Sequence, residues 1–181
     1  MKLLTFLGTG PYAETQYTWQ EQSFTSQFAP AASSRFLQAS QVITFLTEDA
    51  QDKVIEPFKA SLQPEIRIQP IPVPLGKDQA ELWQLFSQVS QVVKPGETIA
   101  FDITHGLRSF PLVGLLAAAY LRTGFSVELK AVLYGAYDIG RQVSPGYTPM
   151  FDLTPMLTLL EWAVAADRSK RTGDARYLAS L

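Results

Sequence analysis

The stretch TIAFDITHGLRSFPLVGLLAAAYLRTG, residues 98–124, decides the fold. It opens with an apolar run, residues 99–103, whose composition predicts a buried strand. A polar cluster at residues 104–106 follows, and residues 109–121 then form a helix pattern that contains no charged side chain. A strand that passes through a short loop into a helix is typical of parallel α/β proteins. The only histidine of the chain and Arg108 lie together at this junction, which makes it the first candidate for a functional site.

The same alternation extends along the chain. Runs that are mostly apolar and do not alternate, as expected for parallel strands covered on both faces, occur at residues 3–7, 42–46, 66–71, 99–103 and 127–133. Helix patterns separate them around residues 30–40, 48–60, 78–93 and 107–122. We therefore predict an α/β fold with a Rossmann-like, doubly wound and mostly parallel sheet, covered by helices on both faces.

Two segments depart from the alternation. Residues 12–20 alternate with period two, which predicts an extended segment or a hairpin in place of a helix. Near the C-terminus, Thr154 is the expected N-cap and Pro155 the first residue of a final helix. This helix is apolar nearly all round, so we expect it to be buried, with a subunit contact as one place for it. The predicted division is a Rossmann-like domain at 1–152 and a helical segment at 153–181 that links or dimerises.

Composition excludes several classes of function. The formal net charge of −2 provides no general basic field for long nucleic acids, so an anion site has to be built locally. The absence of cysteine excludes disulfides and thiolate metal sites, and one histidine leaves no metal-ligand pattern. The N-terminus has the pattern of a first strand, and the longest uncharged stretch is too short to cross a bilayer. We expect a cytoplasmic protein that has no membrane contact.

The first candidate loop, Gly8-Thr9-Gly10-Pro11-Tyr12-Ala13, follows the first predicted strand. Its letters fit G-x-G-x-x-A, the fingerprint of dinucleotide-binding loops. That fingerprint needs a helix directly after the glycines, whereas a proline and an alternating segment follow here. A glycine turn that lets the backbone approach a ligand is the better interpretation. An NAD(P)-dependent oxidoreductase remains a distant alternative.

The second candidate loop begins at Thr104 and leads into a helix N-terminus, a place that favours anions. Arg108 lies just inside the first turn, where its charge opposes the helix dipole. A bound phosphate or carboxylate would explain this position, and so would an ion pair with Asp102 or another acidic residue. If the sheet is Rossmann-like, the strands that carry the two loops are neighbours, so both loops face one crevice.

The lone His105 has a structural and a chemical interpretation. It is either a hydrogen-bonding group of the fold or part of a site. A Ser-His-Asp hydrolase is disfavoured because the chain has no G-x-S-x-G elbow and Ser109 lies only one helical turn away. The lysine of a Walker A loop is also absent.

The strand ending in GTG-x-Y together with the strand ending in DITHGLRS resembles the CARF family, the CRISPR-associated Rossmann-fold sensors of type III systems. FLTEDA at 45–50, VLYGAYD at 132–138 and the segment 152–175 are also similar to that family. The resemblance implies a homodimer that binds a cyclic oligoadenylate, most simply the ring of four adenylates, with no cofactor. Tyr12 would stack on an adenine, unless it is an ordinary aromatic residue of the strand edge. The implied ligand-binding residues are Gly8, Thr9, Gly10, Pro11, Tyr12, Thr104, His105, Gly106, Arg108, Ser109 and Tyr134.

The resemblance leaves the outcome of binding open. Family members usually continue into an effector such as a HEPN ribonuclease, whose signature includes a histidine, but here His105 lies in the sensor loop. We therefore expect no HEPN site in this chain and an effector domain or protein elsewhere. The second interpretation is a ring nuclease of the same family, in which a ribose 2′-OH attacks its own phosphate without a metal.

Overall fold

The fold, taken from a computed structural model that describes residues 1–143 and 146–180, is an eight-stranded sheet with helices on both faces. The strands are β1 Lys2–Leu7, β2 Thr15–Trp19, β3 Gln22–Ser26, β4 Gln41–Leu46, β5 Arg67–Pro72, β6 Thr98–Asp102, β7 Glu128–Gly135 and β8 Tyr147–Asp152. The helices are α1 Ala29–Phe36, α2 Glu48–Ser61, α3 Gln79–Gln91, α4 Ser109–Gly124, α5 Tyr137–Val143 and α6 Thr154–Thr172, followed by a 3₁₀ turn at Leu178–Ser180.

The strand order, β3-β2-β8-β7-β6-β1-β4-β5, confirms the predicted Rossmann-like, doubly wound sheet. Strands β7, β6, β1, β4 and β5 are all parallel, whereas β8 runs antiparallel to β7. The predicted neighbours β1 and β6 pair in register from Lys2 opposite Ile99. After β1 the chain forms the β2–β3 hairpin at one edge of the sheet, then adds β4 and β5 on one side of β1 and β6 on the other side. This reversal places the topological switch point at the carboxyl ends of β1 and β6.

The central strands are apolar because both of their faces are covered. On one face, Phe6 of β1 packs against Phe45 and against Phe110 of α4, with ring centroids 5.5 and 5.8 Å apart. Helices α3, α4 and α6 contribute to this core. On the other face, α1 and α2 cover the sheet, and the Phe58 side chain of α2 is fully buried. Burial on both faces explains why the strand pattern was readable from sequence.

The segment at residues 12–20 contains the extended strand β2, one of the two predicted alternatives, and β2 forms a hairpin with the following strand β3. β2 also pairs with β8, and two buried threonines bridge them, with the hydroxyl oxygens of Thr15 and Thr148 2.9 Å apart. Neither β8 nor α5 was predicted. The β8 sequence YTPMFD contains a proline and no apolar run, and its strand conformation depends on pairing with β7 and β2.

The start of α6 corrects the sequence prediction by one residue. Thr154 is the first helical residue and not the N-cap, which is Leu153. The capping acceptor is Asp152, whose Oδ1 accepts hydrogen bonds from the backbone N–H and the hydroxyl of Thr154, at 2.9 and 2.6 Å. The predicted helix end is confirmed, because Gly173 adopts the left-handed conformation with φ 71°.

The expected burial of α6 is wrong for the single chain. Only Leu157 and Ala165 of this helix are buried, against the sheet layer. Leu159 and Leu160 are 65% and 56% exposed. The reason is positional: α6 packs mainly against β7 and the C-terminal 3₁₀ turn, and the remaining apolar side chains of the helix face away from these contacts.

Candidate functional site

The two predicted loops meet at the switch point. A Cβ atom placed on Gly8, just after β1, would lie 3.6 Å from the Cα atom of Gly106, just after β6. The backbones of the two loops therefore touch, as the neighbouring strands require. Thr9, Gly10 and Pro11 are exposed beyond this contact.

Gly106 is the position where the site requires glycine. Its φ is +109°, and a Cβ there would lie 2.9 Å from the Cβ atom of Phe6. Both the backbone conformation and the fully buried Phe6 oppose any side chain. The close approach of the β6 loop to β1 thus depends on this residue.

We predict that Gly106→Ala lowers the free energy of unfolding by about 1–3 kcal/mol, the cost of backbone strain at such a position. Chemical denaturation monitored by circular dichroism measures it. Gly10→Ala is the matched control, since no atom lies within 4 Å of a Cβ at Gly10. Equal stability of the two variants would contradict the required close approach.

Tyr12 connects the first loop to the second through hydrogen bonds to Gly8 and a ring contact with His105. Its hydroxyl accepts a hydrogen bond from the Gly8 N–H and donates one to the Gly8 carbonyl, both at 2.8 Å. Its ring lies 4.4 Å from the His105 ring and 5.1 Å from the Phe28 ring, measured between centroids. Burial raises the pKa of the Tyr12 hydroxyl, so it stays protonated and able to donate. The side chain therefore shapes the site in addition to facing it.

His105 makes a hydrogen bond within the fold, which is the structural one of its two interpretations. Its Nε2 accepts a hydrogen bond of 3.1 Å from the backbone N–H of Ala29, the first residue of α1. The N-cap of that helix, Phe28, supplies no side-chain bond, so the imidazole satisfies an N–H that would otherwise lack an intrahelical partner. Burial lowers the pKa of His105 to about 4. The ring is neutral near pH 7, with its proton on Nδ1.

Asp102, at the end of β6, has a structural role that the sequence did not predict. It is fully buried, and its carboxylate accepts hydrogen bonds from the Ser33 hydroxyl and, at 3.0 Å, from the Thr104 N–H. Burial raises its pKa to about 6, although both of these bonds act in the opposite direction. Thr104 is held further by the Gly135 N–H, which donates to its Oγ1 at 2.8 Å. Asp102 and His105 together fasten the β6 loop to α1.

Arg108 makes none of these bonds. The alternative that it pairs with Asp102 is wrong, since that carboxylate binds Ser33 and Thr104. Within residues 1–143 and 146–180, the exposed guanidinium of Arg108 forms no hydrogen bond or ion pair. Arg108 is the N-cap of α4, whose first turn has no acidic residue and no side-chain cap. The half-buried Ser109 follows as the first helical residue.

An open cleft of about 260 Å³ lies beside the two loops. Of the predicted site residues, Pro11, Tyr12, Thr104, His105 and Tyr134 line it. Gly8, Thr9, Gly10, Gly106, Arg108 and Ser109 lie outside its lining. The remaining lining residues, which the sequence analysis did not assign to a site, are Ala13, Tyr17, Gln27, Gly135, Tyr137 and Asp138. The sequence placed Tyr17 in the alternating segment and Asp138 in the VLYGAYD stretch, but nothing in the sequence marked Gln27 as a lining residue.

The lining is aromatic and hydrogen-bonding in character. Tyr12, Tyr17, Tyr134 and Tyr137 supply rings, and Gln27 and Asp138 supply polar groups. Planar, partly polar ligands such as nucleobases suit a lining of this kind. Among the described residues, no three His, Asp or Glu side chains are grouped so that they could hold a metal ion.

The structure bears on the dinucleotide-binding alternative and on membrane-spanning helices. The glycine loop after β1 leads into the β2–β3 hairpin, so it is not followed by the helix that the dinucleotide fingerprint requires. None of the described helices is both long and apolar enough to pass through a membrane.

Fold and site together define an α/β protein of Rossmann-like topology, with a tyrosine-lined cleft beside the contact between two glycine loops at its switch point. No family model matches the chain. Over 90 residues the chain is 36% identical to "CRISPR-associated protein MJ1674" from Methanocaldococcus jannaschii, an alignment that covers 48% of this chain and 14% of that protein. Because this chain matches only a small part of its relative, the activity of the whole relative is not carried over.

Proposed function

We propose that this chain is a sensor module that binds a cyclic oligoadenylate, most simply cyclic tetra-adenylate, in a site shared by two copies. The observation that carries the proposal is Arg108, an exposed cation without a partner in the described structure, at the uncapped N-terminus of α4. A cation in this position costs energy through the helix dipole, and a bound phosphate would reverse that cost.

The open main chain at Gly10 supports an anionic ligand with a bulky backbone. Gly10 is exposed and no atom lies within 4 Å of a Cβ placed there, so a sugar-phosphate chain has room to approach this loop. A charge-assisted hydrogen bond from Arg108 to a phosphate would contribute about 1.5–3 kcal/mol. These features favour phosphodiesters over small carboxylates, which need no such room.

The aromatic cleft supports a nucleobase next to the phosphates. Tyr134 is 38% exposed and lines the cleft, so its ring is available for stacking. Base stacking on an aromatic side chain contributes about 1–3 kcal/mol per base. The Tyr12 ring is already tilted against the His105 and Phe28 rings, so an adenine that meets it would join this cluster of rings.

The state of His105 favours binding over cleavage. A nuclease that accelerates attack by a ribose 2′-OH gains from a general base with a pKa near neutrality. His105 has a pKa of about 4, and its Nε2 is occupied by the Ala29 N–H. It is therefore poorly suited to accept a proton. Cleavage of the ring by positioning alone remains the second outcome of the test below.

The test incubates the protein with radiolabelled cyclic tetra-adenylate and resolves bound, cleaved and free ligand. Cyclic hexa-adenylate and linear tetra-adenylate are run alongside to examine ring size and cyclisation, and NADH is titrated in parallel. Intact ring bound more tightly than the linear form is the expected result. A linear product would assign the chain to the ring nucleases, whereas binding of NADH alone, or of no ring, would overturn the proposal.

A further inference from the structure

The cleft beside the two loops contains a buried hydroxyl that the fold leaves unused. Tyr17 of β2 lines the cleft and is only 2% exposed. The hydroxyl end of its ring lies next to Gly135, since a Cβ atom placed on Gly135 would be 3.4 Å from Cε1 of Tyr17. Among the residues that the structure describes, the Tyr17 hydroxyl has no hydrogen-bond partner. Buried hydroxyls in proteins are usually paired, so this one requires an explanation.

The Tyr17 hydroxyl is a hydrogen-bond donor at neutral pH. Burial is the main cause that raises the pKa of Tyr17 above its usual value, and the nearby Asp102 carboxylate raises it further. The hydroxyl therefore keeps its proton and can donate it to a group that enters the cleft. The natural partner is an acceptor, such as a ring nitrogen of a base.

Asp138 of α5 supplies the complementary acceptor. Its carboxylate is exposed, lines the cleft, and forms no hydrogen bond or ion pair with another described residue. An ionised carboxylate only accepts hydrogen bonds. Beside a ligand that carries phosphates, a free carboxylate is repulsive unless it meets a hydrogen-bond donor. The cleft thus pairs one buried donor with one acceptor that needs a donor opposite it.

The size of the cleft limits what enters it. Its volume is about 260 Å³, whereas pockets that enclose a drug-sized ligand have about 300–1,000 Å³. It therefore suits one flat group of a larger ligand and not a whole ring of nucleotides. The exposed ring of Tyr134 gives that group an aromatic surface on which to stack.

We propose that the cleft is a subsite selective for one adenine base, in which Tyr17 donates to a ring nitrogen and Asp138 accepts from the 6-amino group. The choice of adenine rests on the proposed function. Adenine presents an acceptor, N7, next to the amino donor at N6, whereas guanine presents two acceptors, N7 and O6, at the same edge. A carboxylate that faces O6 would place two acceptors against each other.

The other polar groups of the cleft do not set this preference. Nε2 of His105 is occupied by the Ala29 N–H, and Oγ1 of Thr104 accepts from the Gly135 N–H. The amide of Gln27 carries both a donor and an acceptor, so it suits an amino and an oxo group equally well. Discrimination at the 6-position of the base therefore depends on Asp138.

The experiment titrates the full chain with adenosine and with purine riboside, which lacks the 6-amino group, and follows binding by NMR. Neither nucleoside carries a phosphate, so the titration measures the cleft without the contribution of Arg108. We expect the wild type to prefer adenosine by about tenfold or more, the effect of a hydrogen bond to a charged group, and Asp138→Ala to prefer neither nucleoside. Asp52→Ala is the matched control, because Asp52 is an exposed aspartate of α2 outside the cleft lining.

Tyr17→Phe gives a second readout and serves if Asp138→Ala does not fold. It removes only the hydroxyl and keeps the ring. We expect adenosine to bind several-fold more weakly to this variant while the preference for the amino group is retained. Its thermal stability should not fall, because the hydroxyl bonds to no described residue in the free chain.

The outcomes separate this inference from the proposed function. A preference for adenosine that Asp138→Ala abolishes and Asp52→Ala keeps supports the subsite, even if the wild type binds no cyclic tetra-adenylate. In that case the proposed function fails and the subsite stands. A chain that binds cyclic tetra-adenylate but not adenosine, or whose preference survives Asp138→Ala, would overturn the subsite and leave the proposed function intact. A chain that binds neither adenosine nor the ring would overturn both.

Discussion

Replacing Arg108 by alanine is expected to weaken binding of cyclic tetra-adenylate by tenfold or more, about 1.4 kcal/mol or more, at unchanged stability. The loss follows from removal of a charge-assisted bond to phosphate, and in a shared site one substitution removes two such bonds. Stability is retained because Arg108 is exposed and bonds to no described residue. Isothermal titration calorimetry measures the affinity and thermal unfolding measures the stability.

The matched control for this variant is Arg67→Ala. Arg67 is also exposed, but it opens β5 at the amino edge of the sheet, away from the switch point. Affinity should also fall with increasing salt, and the slope should be smaller for the Arg108 variant than for the control. Equal affinities of the two variants would remove the role assigned to Arg108.

The second large effect is a pair of opposite pH dependences. His105 has a pKa of about 4 in the folded chain and about 6.5 when unfolded, so the stability it confers at neutral pH is lost as the pH falls from 6.5 to 4. Asp102 has a folded pKa of about 6 against 3.8 unfolded, so its burial destabilises above pH 6 and this cost disappears toward pH 4. Each contribution is about 3 kcal/mol, and in the wild type they oppose one another.

Single substitutions at Asp102 and His105 should separate the two pH dependences of the unfolding free energy. Asp102→Asn removes the acid that gains stability on acidification, so this variant should lose stability more steeply than the wild type between about pH 6.5 and pH 4. His105→Gln removes the group that loses stability, and because the chain has no other histidine, this variant should lose less or even gain. Urea unfolding across this range measures both. Curves parallel to the wild type would show that neither group is buried as described.

The parts of the fold that sequence could predict are those fixed by burial on both faces of a strand. The apolar runs of β1, β4 and β6 were readable because both faces of these parallel strands are buried. Contact between the loops at Gly8 and Gly106 followed from strand order alone, since β1 and β6 flank the reversal. Arg108 was identifiable because a cation at a helix N-terminus contradicts the dipole.

What sequence could not predict depends on contacts between distant segments. Strand β8 exists because β7 and β2 flank it, and its own residues have weak strand character. The bond from the Ala29 N–H to His105 spans 76 residues, and the bond from Ser33 to Asp102 spans 69. No local pattern encodes such pairs. The exposure of Leu160 likewise reflects where α6 lies in the helix layer, which its apolar sequence leaves open.

The central claim is a phosphate-binding edge that two identical chains share, and stoichiometry tests it most directly. Titration calorimetry of the wild-type chain with cyclic tetra-adenylate, combined with native mass spectrometry, counts chains and rings in the complex. The account predicts one intact ring for every two chains, with two copies of Arg108 contributing to each ring. One ring bound per single chain, or no ring bound by a well-folded dimer, would contradict it.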